Sequence, residues 1–167
     1  MIISDSTTLI ILFDLDRLEL LSNLFPDIII PSAVYDEITF REIIHLPDFI
    51  SVQNPKENEY LESLKLLLDR GESEAIALAL ERKSRLIIDE KKGRKIAMGM
   101  GLQIIGLLGI VYLNIQRGFI SKEEAELFLS DALEHGYRIN RQLIEQMFRL
   151  TAILKTAKCD LVQDSRR

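Results

Sequence analysis

The sequence contains very little histidine, cysteine or tryptophan. Cys159 is its single cysteine, which excludes an intrachain disulfide and a cysteine zinc cluster. The two histidines, His45 and His135, lie far apart and in unrelated contexts, so neither histidine-based metal binding nor a catalytic triad is predicted. With these groups set aside, the side chains to consider for catalysis are the carboxylates.

Long apolar runs, a basic N-terminus and a net positive charge are also missing. The longest apolar stretch, residues 104–113, is too short to cross a bilayer. Asp5 and Asp14 interrupt the first apolar run, which argues against a signal peptide, and we expect a cytoplasmic protein. The formal net charge of −5 argues against a simple nucleic-acid binder, but less against an enzyme whose acidic site is neutralised by metal.

The composition that remains is that of an ordinary globular protein. With 47% hydrophobic and 28% charged residues in a chain of 167, we expect one domain with a helical appendage. Apolar runs without polar alternation predict buried strands at residues 1–4, 27–30, 86–88 and 103–105, with a brief extended segment at 50–52. Helical segments between these runs predict an α/β fold: a mostly parallel sheet of four to five strands with helices on both faces.

Helical periodicity and end signals locate the predicted helices. Pro26 ends the first, Ser121 and Glu124 form a capping box, and Asn140 caps the last. The predicted helices cover residues 6–24, 32–45, 59–68, 72–80, 90–98, 107–117, 122–135 and 141–155, before a frayed tail from residue 160.

Two acids stand just beyond predicted strands. Asp5 follows the first run and Asp89 follows the third. The carboxyl ends of parallel strands meet at one edge of a sheet, where α/β folds bind their ligands. The alternative is that Asp89 or Glu90 only caps the helix that follows.

A third acid, Glu37, is predicted to face inward. At about 100° per residue, it falls near the middle of the arc formed by Ala33, Val34, Ile38, Phe40 and Ile44, while Asp36 points away. An inward carboxylate is costly unless it is paired or binds a metal. The alternative partner for Glu37 is Arg41, one helical turn along.

A fourth acid lies in the first turn of the helix that leads to the third strand. Glu72 and Glu74 are both candidates, and acids are common there because they complement the helix dipole. Periodicity does not choose between them. Together with Asp5, Glu37 and Asp89, either one would give a cluster of oxygen ligands suited to Mg²⁺ or Mn²⁺, ions that serve phosphate chemistry.

Several segments, taken in order, resemble those of the PIN-domain nucleases, and most closely the small prokaryotic branch similar to VapC toxins. The resemblance covers roughly residues 1–150, which we predict to be a PIN-like three-layer domain, with 151–167 as a C-terminal tail. The matching segments are Ile3-Ser4-Asp5-Ser6-Thr7, Val34-Tyr35-Asp36-Glu37-Ile38, Gly71-Glu72-Ser73-Glu74-Ala75-Ile76, Leu86-Ile87-Ile88-Asp89-Glu90 with Gly93-Arg94, and Gly106-Leu107-Leu108-Gly109-Ile110.

The resemblance implies a divalent-metal-dependent endoribonuclease, the toxin of a toxin–antitoxin pair. It implies RNA as substrate, Mg²⁺ or Mn²⁺ as cofactor, an antitoxin as partner, and a homodimer. By resemblance, the four acids that bind the metal and carry catalysis are Asp5, Glu37, Glu74 and Asp89.

Four further positions are secondary in this comparison. Glu72 is the alternative to Glu74, because many relatives carry the shorter Asp at the position of Glu74. Glu90 is an auxiliary acid, and Ser6 either holds a metal-bound water or caps the first helix. Leu107 stands where the resemblance leads us to expect a small hydroxyl residue.

The sequence is also compatible with a protein that is not an enzyme. The acids would then form a metal-binding or partner-binding pocket, either in an inactive PIN-like protein or in a receiver-like fold. A receiver would need an acceptor Asp after the middle strand and a conjugate Lys after a later one, and the sequence shows no such pair.

Overall fold

A computed structural model describes residues 1–40 and 44–164, with the side chains given up to residue 153. It contains a sheet of five parallel strands flanked by helices, which confirms the predicted α/β class. Four strands fall on the predicted apolar runs, and the brief extended segment at residues 50–52 is the fifth member of the sheet. The strands are β1 (Ile2–Ser4), β2 (Ile28–Ile30), β3 (Ile50–Val52), β4 (Leu86–Ile87) and β5 (Ile104–Ile105).

The strand order, β3-β2-β1-β4-β5, places the two acids that follow strands next to each other. Strand β1 pairs with β2 on one side and with β4 on the other, with Ile3 opposite both Ile29 and Leu86. From β1 the chain adds β2 and β3 on one side of the sheet, and then crosses over to add β4 and β5 on the other side of β1. This change of side is a topological switch point, where open α/β sheets bind ligands at the carboxyl ends of the strands.

The helices begin largely where the sequence signals them. Side chains of Asn58, Asp69 and Ser121 accept backbone N–H bonds at three helix starts, and Ser121 forms the predicted capping box with Glu124. The helices are α1 (Ser6–Asp14), α2 (Glu19–Ser22), α3 (Ser32–Ile38), α4 (Glu59–Lys65), α5 (Arg70–Arg82), α6 (Lys91–Gly99), α7 (Leu107–Arg117), α8 (Lys122–Glu134) and α9 (Arg141–Asp164).

Three predicted helices differ most from the structure. The first is divided into α1 and α2, and Asp16 between them has a left-handed φ of 51°. Helix α3 ends at Ile38, so Phe40 lies beyond its inner arc and is 89% exposed. Arg41, the alternative partner for Glu37, lies outside the described residues. Helix α9 continues to Asp164, past the predicted end near residue 155.

Helix α5 is the central helix of the core. It packs against α3, α4 and strands β1 and β4, and every residue from 71 to 79 is buried. Because small alanines alternate with Ile76 and Leu78, the helix can approach its neighbours closely on more than one side. This burial includes Glu72 and Glu74, the two acids between which the sequence does not choose.

The chain divides into two compact units. The first, Met1–Leu107, contains the sheet and all the acids proposed from the sequence, and the second begins at Leu108. The predicted boundary near residue 150 stays a prediction. Within the described residues, no helix is both long and apolar enough to span a membrane.

Candidate metal and catalytic site

The switch point brings Asp5 and Asp89 into direct contact. The backbone N–H of Asp5 donates to the carbonyl of Ile87 at 3.0 Å, which extends the pairing of β1 with β4 by one residue. The N–H of Asp89 in turn donates to Oδ2 of Asp5 at 3.3 Å. The sequence position of each acid, one or two residues past a buried strand, is thus what places them side by side.

Asp89 is held by donors from two other elements. Its carboxylate accepts a hydrogen bond from the hydroxyl of Thr8 on α1, and the N–H of Leu107 lies 3.1 Å from each of its oxygens. The N-cap of α6 is Glu90, so Asp89 does not cap that helix. Asp89 is therefore a carboxylate whose position is fixed by hydrogen bonds from two other elements.

Asp5, unlike Asp89, has a carboxylate oxygen without a hydrogen-bond donor within the described ranges. The residue is 1% exposed, and its Oδ1 has no hydrogen-bond partner among the described residues. Burial, followed by the nearby negative charge of Asp89 and then that of Glu72, raises the pKa of Asp5 well above its ordinary value. An ionised carboxylate in this position requires a positive charge beside it.

Glu72 is a second buried acid with an unsatisfied oxygen. It is 8% exposed, and its Oε1 has no hydrogen-bond partner in the described part of the chain. Burial, with the negative charges of Asp69, Glu90 and Glu37, raises the pKa of Glu72 to about 7. Because Glu72 also raises the pKa of Asp5, the two carboxylates are electrostatically coupled.

Glu74 is buried to the same degree but has partners. Its Oε1 accepts from Nε of Arg70 at 2.7 Å, and its Oε2 lies 3.4 Å from the N–H of Ala33. The side chain therefore joins the start of α5 to the start of α3, where a negative charge is favoured. Both oxygens of Glu74 thus have donors nearby, whereas Oε1 of Glu72 has none among the described residues.

Glu37 is half-buried and lies beside the start of α5. A Cβ atom at Gly71 would be 2.5 Å from Oε1 of Glu37, which shows how closely the carboxylate approaches that backbone. Its negative charge acts on Glu72. Asp36 points outward, as the wheel predicts, with 68% of its side chain exposed. Glu37 thus joins the group from the α3 side.

The secondary positions have separate places around this group. Glu90 is exposed, and Ser6 is the first residue of α1, so Asp5 and not Ser6 is the N-cap. Arg94 donates to the carbonyl of Ile88 at 2.7 Å. Thr8 was not a candidate from the sequence, because a threonine near a helix start predicts only helix initiation; its spacing of three residues from Asp5 was the available signal.

The residues fit a hard divalent cation, although their side chains are not arranged as a complete ligand set. In the described ranges, 1–40 and 44–164, no three acidic side chains lie close enough together to hold a metal in their present positions. Two buried carboxylate oxygens, on Asp5 and Glu72, nevertheless lack donors. Oxygen donors of this kind match the preference of Mg²⁺ and Mn²⁺, and a cation would supply the missing charge.

The raised pKa values predict that the metal-free protein loses stability as pH increases. Glu72 binds its proton up to about pH 7 when folded but only up to 4.5 when unfolded, so the folded state holds more protons between these values. The contribution of Glu72 to stability is therefore fully present below pH 4.5 and is lost as the pH rises from 4.5 through about 7. We expect a loss of about 1–3 kcal/mol, since one pKa unit is about 1.4 kcal/mol.

Urea unfolding in the presence of a chelator, at about pH 5 and about pH 8, measures this loss. The matched control is Glu72→Gln, in which the difference between the two pH values should shrink. Excess Mg²⁺ at the higher pH should restore stability in the unmodified protein, because it binds only the folded state. An equal pH dependence in both proteins would contradict the buried, proton-binding state of Glu72.

Comparison with known families gives one assignment. A family model described as a PIN domain matches residues 1–152, which is nearly the whole chain. The chain therefore belongs to the PIN-domain family, as its motifs indicate. No curated protein matches it.

Proposed function

From its place in the PIN-domain family, we propose that this protein is a divalent-metal-dependent endoribonuclease that hydrolyses phosphodiester bonds in RNA. PIN domains are generally nucleases, so the family match supports a nuclease activity. The observation that carries the finer proposal is the pair of buried, donor-less oxygens on Asp5 and Glu72 beside the fixed carboxylate of Asp89. We propose Asp5, Glu72, Asp89 and Glu37 as the acids that hold Mg²⁺ or Mn²⁺.

A bound Mg²⁺ or Mn²⁺ would supply an acidified water and neutralise charge on the phosphate. The residues of this chain then have distinct parts. Asp89 keeps its orientation through Thr8 and Leu107, so its position is set before a ligand arrives. Asp5 and Glu72 are the acids that gain most from a cation, because burial disfavours their ionised forms.

A basic segment next to the acids supports an RNA substrate. Helix α6 begins directly after Asp89 and Glu90, and Lys91, Lys92 and Lys95 are exposed on it. Exposed lysines are the usual partners of a phosphate backbone. We propose that this face of α6 holds RNA phosphates, which offsets the net charge of −5 locally and draws the backbone toward the site.

The experiment that tests the function is an RNA cleavage assay with the purified protein. We expect cleavage with Mg²⁺ or Mn²⁺, none with a chelator, and recovery when metal is added back. Failure to cut any RNA under every divalent metal, in a protein that melts cooperatively, would favour the inactive metal-binding or partner-binding module. The receiver-like form of that alternative is already disfavoured, because the strand order differs from the 2-1-3-4-5 order of such folds.

We further propose that the protein is a cytoplasmic toxin with a protein antitoxin, and that it forms a homodimer. A groove of about 480 Å³ between α1 and α3 supports a basic, amphipathic partner segment, because its walls combine apolar and acidic side chains. Its lining residues are Ile10, Phe13, Asp14, Asp36, Glu37, Ile38, Phe40 and Ile44. Since Glu37 lies in this wall, an occupant would also reach the metal site.

Phe40→Ala tests the groove, because Phe40 is 89% exposed and removing its ring should not affect folding. We expect RNA cleavage to be unchanged and inhibition by a co-expressed candidate antitoxin to weaken at least about tenfold, equivalent to about 1.4 kcal/mol of lost contact. Equal inhibition of both proteins would place the antitoxin elsewhere. The homodimer is tested by light scattering, and a result that shows only monomers would contradict it.

A further inference from the structure

Three glycines lie against three of the proposed metal-binding acids. A Cβ atom at Gly71 would be 2.5 Å from Oε1 and 2.9 Å from Oε2 of Glu37. A Cβ atom at Gly93 would be 2.7 Å from Oε1 of Glu72, and one at Gly106 would collide with Oδ1 of Asp89. Real Cβ atoms essentially never show separations below 3.0 Å, so each carboxylate occupies space that any other residue would fill.

Backbone conformation does not explain these glycines. Positive φ angles among the described glycines occur at Gly101, Gly118 and Gly136, not at the three that contact carboxylates. Gly71 and Gly93 lie within helices α5 and α6, where alanine is the better helix former. The property that fits these positions is therefore the missing methyl group.

We propose that Gly71, Gly93 and Gly106 are positioning residues that set where the carboxylates of Glu37, Glu72 and Asp89 lie in the metal site. The proposal rests on the function given above. At Gly71 the atoms that an added methyl would meet all belong to the end of the Glu37 side chain, which can rotate away. A substitution should therefore leave the fold intact and displace a ligand, and displacements near 1 Å are enough to weaken a site.

Gly71 gives the cleanest test, because all three atoms nearest to its Cβ position belong to Glu37. At Gly93 the methyl would also meet Ile88, and at Gly106 it would also meet Arg94. Gly99 is the matched control: it lies at the end of α6, and no heavy atom of the described chain outside its own helix backbone is within 4 Å of its Cβ position.

The experiment measures the rise in melting temperature with increasing Mn²⁺, without RNA, in wild type, Gly71→Ala and Gly99→Ala. In the metal-free state we expect both variants to melt at or above the wild-type temperature, because alanine favours the helix. We expect Gly71→Ala to need at least about tenfold more Mn²⁺ than wild type for the same rise in melting temperature. Losses of this size are typical when a group that orients a metal ligand is changed. Gly99→Ala should respond like wild type.

A double-mutant cycle with Glu37→Gln shows whether Gly71 acts through that carboxylate. Once Glu37 has lost its charge, adding Gly71→Ala should not raise the Mn²⁺ requirement further. A role in general packing would instead produce the same loss in both backgrounds, and would overturn the proposal. So would a Gly71→Ala protein that does not fold, because the methyl would then not be accommodated by side-chain movement.

The two levels of inference fail in different ways. If wild type shifts with Mn²⁺ and Gly71→Ala shifts at the same concentrations, the positioning role is wrong and the metal site stands. If wild type shows no shift with Mn²⁺ or Mg²⁺, the proposed function is wrong, and the positioning role fails with it.

Discussion

Replacing Asp5 by asparagine is expected to abolish metal-dependent RNA cleavage while making the metal-free protein more stable. Asp5 is 1% exposed, with a raised pKa and an oxygen that no described residue satisfies. An amide of the same size removes the buried charge, so the unfolding free energy near neutral pH should rise. Cleavage should fall at least about 100-fold, because the cation contributes several kcal/mol to transition-state stabilisation.

The matched variant is Asp89→Asn, which should lose cleavage equally but lose stability as well. Asp89 accepts the N–H of Leu107 on both oxygens and the hydroxyl of Thr8. An asparagine offers one acceptor oxygen and turns a donor toward at least one of these donors, which costs about 1–3 kcal/mol for a group left unsatisfied. The two substitutions are chemically identical, so opposite stability changes would report their different surroundings.

Urea unfolding in chelator and single-turnover cleavage in Mg²⁺ measure the two effects separately. Circular dichroism should show both variants folded. If Asp5→Asn cleaves RNA as fast as wild type, Asp5 is not part of the metal site. If it is less stable than wild type, the unsatisfied oxygen is in reality hydrogen-bonded, and the electrostatic argument for a cation loses its basis.

The sheet and two of the acids could be predicted because their signals are local. Buried parallel strands read as continuous apolar runs, and an acid directly after such a run is fixed in space by the strand before it. Asp5 and Asp89 therefore follow from sequence once the strands are paired as neighbours. The pairing itself is not local, since it joins residues more than eighty positions apart.

Other features depend on packing that periodicity does not encode. The wheel for residues 32–45 assumes a continuous helix, and no glycine or proline marks its end at Ile38, so Phe40 was placed inward although it is exposed. Helix α5 is buried on all sides from 71 to 79, which leaves no polar face from which to choose an acid. The space beside Gly71 likewise becomes visible only when α3 and α5 are packed together.

Glu72 and Glu74 are predicted to respond very differently to the same substitution. The two acids lie two residues apart in the same helix and are almost equally buried, at 8% and 5% exposed. Glu74 has Arg70 and the N–H of Ala33 as partners, whereas Oε1 of Glu72 has none among the described residues. Of these two acids, Glu72 is thus the one whose buried charge lacks a partner among those residues.

Glu72→Gln should therefore lower cleavage at least about 100-fold, by the same loss of cation binding as at Asp5, and should raise metal-free stability at about pH 8 by about 1–3 kcal/mol. Glu74→Gln should instead lower stability slightly and leave cleavage nearly unchanged. It keeps an acceptor for Ala33 but loses the ion pair with Arg70, which is 63% exposed, so stability should fall by about 1 kcal/mol or less and cleavage should stay within about threefold of wild type.

The decisive measurement is the Mn²⁺ concentration needed for half-maximal thermal stabilisation, taken for both variants without RNA. A metal requirement that rises in Glu72→Gln and not in Glu74→Gln assigns the ligand to Glu72. The opposite pattern would assign the ligand to Glu74, whose charge is then shared between the cation and the ion pair with Arg70 at 2.7 Å. In that case Arg70→Ala should lower the metal requirement, a change that the Glu72 assignment does not predict.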